Sequence, residues 1–275
     1  GGGLVTWEID SANEKFLLPF TRKLQHVYDI SVESQVLYFA SLAVAPKYSS
    51  AHGAFVLSSD SLNDFINSKE WSFDSTTEME RTFHFFFFLP PKSLSPLRIS
   101  SPSGEILESS AFVIQEYGGV YIFPAHQEET LISEDQLRAP MQHLVGQLRK
   151  LLGMQIPPNV RALVDHEAAL PAWQLDAFRR AVTAARTLET RKTLSSLKSL
   201  IDGMSNMVIR DEIGHGVQEA VARLQTAEEA WSRADFTSAS KEAAYACERA
   251  EDVFFDPSIL SMVTLSHTRS SSFPG

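Results

Sequence analysis

The sequence predicts an α/β fold of the α+β kind, in which a mixed β-sheet packs against helices and a C-terminal antiparallel three-helix extension follows. Two observations predict it: strand-like runs alternate with helical periods up to about residue 170, and strand signals largely disappear after it. A composition of 44% hydrophobic and 21% charged residues supplies one or two apolar cores. We therefore expect an α/β domain over residues 4–170 and a helical extension over 171–256, with 1–3 and 257–275 as linker or flexible tails.

The first half is predicted to contain one helix and several strands. Apolar residues recur at helical spacing over Trp7–Val27, where Pro19 kinks the helix or begins a new one. Thr82–Leu89 (TFHFFFFL) has no polar face, which predicts a central strand covered on both sides. The other predicted strands are Gln35–Val44 with its hairpin partner Gly53–Leu57, and Leu97–Ile99, Ala111–Ile114 and Gly119–Phe123; a capped helical turn is predicted at Ser61–Asn67.

The second half is predicted to be mainly helical. Ser133 caps a helix that runs to Leu152 and packs on the sheet, and a proline-rich connection with a short strand at Val160–Val164 follows. Trp231 falls on the apolar stripe of the second of the last helices, and the Ala-rich third helix allows close approach to it. These last three helices are predicted at Ala172–Met204, Asp211–Arg233 and Phe236–Phe254.

Charge and motif content exclude several classes of function. The formal net charge of −10 argues against a nucleic-acid partner, because phosphates are bound by surfaces rich in Lys and Arg. No run reaches the roughly 18 apolar residues of a membrane span, so we expect the chain as given to be soluble. Cys247 is alone, so no internal disulfide forms. No G-x-S-x-G, P-loop or dinucleotide fingerprint occurs, which predicts no cofactor.

Three side chains are candidates for catalysis by a nucleophile or a base. Cys247 lies at an internal apolar position of a helix, where a thiol acts as a small hydrophobic group. His84 interrupts the Phe run and is interpreted as a core histidine with a backbone partner. His215 lies between Gly214 and Gly216, which is interpreted as a bend or break in an exposed helical start.

Two acidic groups are weaker candidates. Asp165, His166 and Glu167 are adjacent, so on extended backbone their side chains alternate between faces and do not converge on a metal ion. A second group of carboxylates is best explained by solvation and by the dipole of the following helix; it comprises Glu128, Glu129, Glu134 and Asp135. We therefore expect no catalytic, cofactor or metal site.

Several stretches, in order along the chain, resemble the S-subunit family of the GPI transamidase (PIG-S). These stretches are Trp7–Tyr38 with ISVESQVLYFASL, Met141–Gly153 with HLVGQLRKLLG, Trp173–Asp176 (WQLD), Ile201–Arg210 within DGMSNMVIRDEI, and Phe254–Ser258 (FFDPS). The resemblance implies an endoplasmic reticulum membrane protein with one span near each end and a lumenal domain between them. The family's second span would start soon after Ser258, where no apolar run follows, and its first span would precede Leu4, so either this sequence is the soluble part of a longer protein or this member of the family differs.

The resemblance also implies a function in assembly and not in catalysis. The complex exchanges a C-terminal signal for the GPI amine, using a thiol-protease-like K subunit with Cys and His, alongside T, U and GPAA-type subunits. No Cys/His pair is then expected in this chain. Two alternatives stay open at this point: a hydrolase of unrecognised type that uses His84, His166 or His215, and a generic helical adaptor in the cytoplasm.

Overall fold

The computed structural model describes residues 5–38, 42–64, 82–115, 117–124, 130–154, 170–203 and 210–259. The chain divides into two units, and each contains two separate stretches of sequence. Unit 1 consists of Gly1–Arg22 and Ser31–Ala169, and unit 2 consists of Lys23–Ile30 and Leu170–Gly275. Strands are found in unit 1 and long helices in unit 2, so the prediction of an α+β fold is confirmed. The predicted domain ranges, 4–170 and 171–256, place Lys23–Ile30 in the first domain, whereas these residues belong to unit 2.

Unit 1 begins with a short strand and an irregular helix. The predicted helix at Trp7–Val27 is present, but a π-helical turn at Asn13–Leu17 divides it. The α-helix resumes at Leu18, so Pro19 lies directly after the π-helical turn in a helical run that is continuous from Ile9 to Leu24. The elements are β1 (Thr6–Trp7), α1 (Ile9–Ala12) and α2 (Leu18–Leu24).

The described strands form three small sheets. β1 pairs with β8 (Leu131–Ile132) in parallel. A second sheet has the order β2–β3–β5, from Lys47–Ser49, Ala54–Ser58 and Leu97–Ser100. The third has the order β4–β7–β6, from His84–Phe88, Gly118–Ile122 and Ala111–Ile114. Both three-stranded sheets are mixed, with one parallel and one antiparallel pairing each.

Two strand predictions differ from the structure. The strand at Gln35–Val44 is wrong for residues 35–38 and 42–44, which belong to no strand, while 39–41 lie outside the described residues. The hairpin partner of β3 is instead β2, because Gly53, with φ of +59°, closes a tight turn directly between them. In the described sheet β7 lies between two neighbours and β4 at the end of the order, so the central place of the Phe-rich strand stays a prediction.

Unit 1 also contains two short 3-10 helices. Ser59–Asp64 and Lys92–Leu94 are 3-10 helices; the predicted capped turn continued to Asn67, beyond the described residues. The predicted strand at Val160–Val164 also lies outside them.

A helix covers the third sheet, as predicted. α3 (Glu134–Leu151) begins with a capping box, in which the Ser133 hydroxyl accepts from the Gln136 amide and the Gln136 side chain accepts from the Ser133 amide. Its Gln147 side chain reaches the sheet and donates to backbone carbonyls of both β6 and β7. The sheet core combines Leu57, Leu97, Ile99, Val120 and Ile122.

Unit 2 is built from long helices that pack through small residues. α4 (Ala172–Asp202), α5 (Asp211–Ser232) and α6 (Phe236–Phe254) have nearly the predicted bounds. The pairs Arg223–Glu242 at 3.0 Å and Arg249–Glu219 at 2.9 Å show that α5 and α6 are antiparallel. Their contact faces are rich in alanines that are at most 1% exposed, namely Ala220, Ala227, Ala230, Ala239, Ala243, Ala246 and Ala250.

The end of α2 and the residues after it belong to unit 2. The Lys23 ammonium donates to the Leu170 carbonyl at 2.9 Å, and the Tyr28 ring lies 6.1 Å from the Phe178 ring. Leu24 is fully buried. Residues separated by about 150 positions in sequence thus meet at the start of α4. Among the helices described, none has both the length and the apolar character needed to cross a bilayer.

Candidate functional site

Cys247 lies between α4 and α6 in a group of charged side chains. The Arg186 guanidinium donates to its sulfur at 3.7 Å, and the thiol donates to Glu251 Oε1 at 3.6 Å. Arg186 also pairs with Glu189 at 3.1 Å. Cys247 is 1% exposed, and burial raises the pKa of its thiol to about 11. The thiol is therefore protonated near neutral pH, and Cys247 packs as predicted for a buried helical position.

The same group has ligand atoms at metal-binding spacing. One ligand atom each from Glu189, Cys247 and Glu251 lie within 4.8 Å of one another. The Arg186 guanidinium, however, contacts both the thiol and the Glu189 carboxylate, and so supplies the positive charge that a metal ion would bring. The arrangement is better described as a polar connection between α4 and α6.

His84 lies on β4 among aromatic rings. Its imidazole is 4.9 Å from the Tyr117 ring and 6.4 Å from the Phe86 ring, and its backbone N–H donates to the Tyr117 carbonyl at 2.9 Å. Burial lowers the pKa of His84 below its ordinary value, so the ring is neutral near pH 7. His84 is half-buried among these rings, and the interpretation that its imidazole has a backbone partner stays a prediction.

His215 is exposed on the first turns of α5, which continues through Gly214 and Gly216. The predicted bend or break at this point is therefore wrong. Gly216 is buried because α6 passes close to it, and an added Cβ there would overlap Val253 Cγ2. The glycine at this position serves helix packing and not mobility.

The acidic candidates are only partly described. Glu134 accepts from the Lys15 ammonium and the Ser11 hydroxyl, and the Lys15 hydrogen bond is the main reason that its pKa lies below the ordinary value. Asp135 is 3.9 Å from Arg138, one turn along α3. Both carboxylates thus belong to a helix start and its ion pairs. The residues outside the described ranges are Glu128, Glu129, Asp165, His166 and Glu167.

A surface cleft of about 470 Å³ in unit 1 lies between β6 and the end of α3. Its lining residues are Val113, Ile114, Gln115 and Lys150. A hydrolase would need a histidine beside Ser, Asp or Glu in a cleft, and none of the described residues that line this cleft is a histidine. The geometry of the described residues gives the hydrolase alternative no support.

A surface patch of aromatic residues with one arginine lies at one end of the helices in unit 2. The Arg180 guanidinium carbon is 5.3 Å from the centre of the Phe236 ring, and Trp231 packs edge-on against Phe236 at 5.4 Å. Trp173 lies two turns before Arg180 on the same side of α4, about 10 Å along the helix axis. Trp173 and Trp231 are 45% and 40% exposed. We call Trp173, Arg180, Trp231 and Phe236 the Trp–Arg patch.

The Trp–Arg patch was not predicted from the sequence. Trp231 was expected on the buried stripe of α5, but the structure leaves it substantially exposed beside the turn into α6. Within the described part of the chain, Arg180 has no carboxylate partner at ion-pair distance. Exposed Trp and an unpaired Arg are residue types that carry binding energy at protein interfaces. No local sequence signal marks the patch, because its members meet only through tertiary packing.

Fold and surface together describe a two-unit α+β protein that has an exposed patch of interface-type residues. The sequence matches the family described as "Phosphatidylinositol-glycan biosynthesis class S protein" over residues 1–265, and the chain belongs to that family.

Curated relatives agree with this assignment. A Mus musculus protein named "GPI-anchor transamidase component PIGS" is 31% identical over 270 residues, which cover 94% of this chain and 48% of the relative. The Homo sapiens protein of the same name is 29% identical with the same coverage. A "GPI transamidase component PIG-S homolog" from Schizosaccharomyces pombe is 22% identical over 94% of this chain and 45% of its own length. The chain thus spans about half the length of the curated relatives it matches.

Proposed function

We propose that this protein is a non-catalytic subunit of the GPI transamidase, needed for assembly or stability of the complex that attaches GPI anchors to precursor proteins. Its partners are the catalytic thiol-protease-like K subunit and the T, U and GPAA-type subunits. The protein resides in the endoplasmic reticulum membrane, and this portion faces the lumen. The names of its relatives as transamidase components support this proposal. We also propose that it has no catalytic, cofactor or metal site.

The observation that carries the assembly function is the Trp–Arg patch. It lies in the helical region proposed as the second domain, residues 171–256, where long packed helices provide a rigid surface. Exposing two tryptophans to water is unfavourable, and burying them against another subunit relieves that cost. Arg180, which lies over the Phe236 ring and has no carboxylate partner in the described residues, fits a subunit surface that presents a carboxylate.

The test compares two charge reversals on the same helix. Arg180→Glu changes the Trp–Arg patch, and Lys192→Glu makes the same change at another exposed position of α4. Arg180→Glu removes only a cation–π contact worth about 0.5–1 kcal/mol, so the variant is expected to fold. The full-length, membrane-anchored protein is captured from detergent extract, and the companion subunits are quantified.

Arg180→Glu is expected to lower recovery of the companion subunits roughly tenfold, which corresponds to about 1.4 kcal/mol of binding free energy. Lys192→Glu is expected to leave recovery unchanged. Equal loss with both variants would point to a general charge effect and contradict the patch. If the unsubstituted protein recovers no transamidase subunit, the proposed function itself is wrong.

A further inference from the structure

The segment Ser31–Tyr38 (SVESQVLY) is exposed over its whole length. Its apolar members are Val32, Val36, Leu37 and Tyr38, which are 51%, 40%, 38% and 44% exposed. It belongs to no helix or strand, and its sequence contains neither Gly nor Pro. A solvated linker is typically rich in Gly, Ser, Pro and charge, so this composition is unusual for one.

The backbone of this segment makes no hydrogen bond to any described residue. The contact that holds its end in place comes from a side chain, the Tyr38 hydroxyl, which donates to the Val5 carbonyl at 3.0 Å. Val5 directly precedes β1, so the end of Ser31–Tyr38 is held beside the start of unit 1. A row of free N–H and C=O groups flanked by apolar side chains is the template that a β-strand presents to a partner strand.

The order of side chains agrees with a strand that is covered on one face. In an extended strand one face would carry Val32, Ser34, Val36 and Tyr38, and the other would carry Glu33, Gln35 and Leu37. Three of the four apolar side chains thus fall on one face, which is the distribution of a half-buried strand. The segment therefore has unpaired backbone groups and the side-chain distribution of a strand, but lacks a neighbour among the described residues.

We propose that Ser31–Tyr38, which belongs to no strand in this structure, becomes a β-strand in the full-length protein by pairing with a strand outside these 275 residues. Curated relatives match this chain over only 48% of their own length, so members of the family have ample chain to supply such a strand. This pairing does not depend on the transamidase assignment.

Hydrogen exchange followed by mass spectrometry tests the proposal. In the 275-residue chain alone, the amides of Ser31–Tyr38 are expected to exchange at nearly the rate of an unstructured peptide. In the full-length protein, purified without companion subunits, the same amides are expected to exchange at least about 100-fold more slowly. Fast exchange in both samples would overturn the proposal. Slow exchange that appears only after companion subunits bind would also overturn it, because the partner strand would then belong to another chain.

A pair of substitutions in the full-length protein separates backbone pairing from simple burial. Val36→Pro removes one N–H and disfavours strand pairing, whereas Val36→Thr keeps the N–H and the β-branched shape. Val36→Pro is expected to abolish the slow exchange of the segment, and Val36→Thr to retain most of it. In the 275-residue chain Val36→Pro should leave the melting temperature unchanged, since that N–H donates to no described acceptor. Slow exchange that survives Val36→Pro would contradict strand pairing.

Discussion

The contact between Gln147 and the sheet beneath α3 gives a prediction that can be worked out from the structure. Gln147 is 7% exposed, and its side-chain NH₂ donates to the Val120 carbonyl at 2.8 Å and the Phe112 carbonyl at 2.9 Å. Gly119 makes room for it, because an added Cβ there would overlap Gln147 Oε1. One amide group thus connects the helix to two adjacent strands.

Replacing Gln147 with Leu keeps the approximate volume and removes both hydrogen bonds. Depriving the buried Val120 carbonyl of a donor costs about 1–3 kcal/mol, and losing the half-buried bond to Phe112 costs about 0.5–1.5 kcal/mol. We expect Gln147→Leu to lower the free energy of unfolding by about 3 kcal/mol, which is a fall of roughly 6–12 °C in melting temperature for a unit of this size. Urea denaturation and calorimetry measure both quantities.

A double-mutant cycle tests whether a side chain at position 119 is unfavourable because it would overlap Gln147. Gly119→Ala is expected to destabilise the unsubstituted protein, and to cost at least about 1 kcal/mol less when Gln147→Ala has already removed the overlapping side chain. Gly146→Ala is the control: it lies on the exposed side of α3, nothing lies within 4 Å of the added Cβ, and a gain of about 1 kcal/mol is expected. Equal costs of Gly119→Ala in both backgrounds would refute the reasoning.

Two further predictions concern unit 2. Gly216→Ala should destabilise the protein by about 1–3 kcal/mol, because the new methyl group overlaps Val253. Gly214→Ala, which has open space around its added methyl group, should stabilise the protein by about 1 kcal/mol. Chemical denaturation of both variants measures these changes, and two effects of equal sign would contradict the prediction. Burial raises the pKa of Cys247 from 9.0 to about 11, so the native thiol keeps its proton where the unfolded chain loses it, and stability should fall as pH rises from about 9 to about 11. Cys247→Ala should remove the loss of stability that the thiol causes between these pH values. Denaturation curves of both proteins at about pH 8 and about pH 10.5 measure this loss. If the pH dependence of stability were the same in both proteins, the raised pKa of Cys247 would be contradicted.

The sequence predicted the elements that local patterns specify. The cap at Ser133, the periodicity of α3 and the bounds of the helices in unit 2 depend on side chains within a few positions of each other. Strands β5, β6 and β7 were also confirmed, because turn residues bound each apolar run. The strand at Gln35–Val44 was wrong for the described residues although its composition favours β-structure, because a strand exists only with a partner and the choice of partner is not local.

The candidate site was less predictable. The burial of Cys247 and the aromatic surroundings of His84 followed from their places in apolar runs. The Trp–Arg patch did not, since helical periodicity assigned Trp231 to the buried stripe of α5. Its exposure results from its place beside the turn into α6, where the contact face of the helix pair ends. Arg180 reaches Phe236 across 56 positions of sequence, a distance over which no pattern predicts a contact.

The contribution of Lys23–Ile30 to unit 2 means that the chain passes from one unit to the other three times, after Arg22, after Ile30 and after Ala169. A break in the backbone within Ser31–Tyr38 would therefore release neither unit. The amino-terminal fragment would stay anchored in unit 1 by its first residues and in unit 2 by Leu24 and Tyr28. The chain thus crosses between the two units three times, and removing residues 170–275 as one continuous piece would leave Lys23–Ile30, which is part of the helical unit, behind.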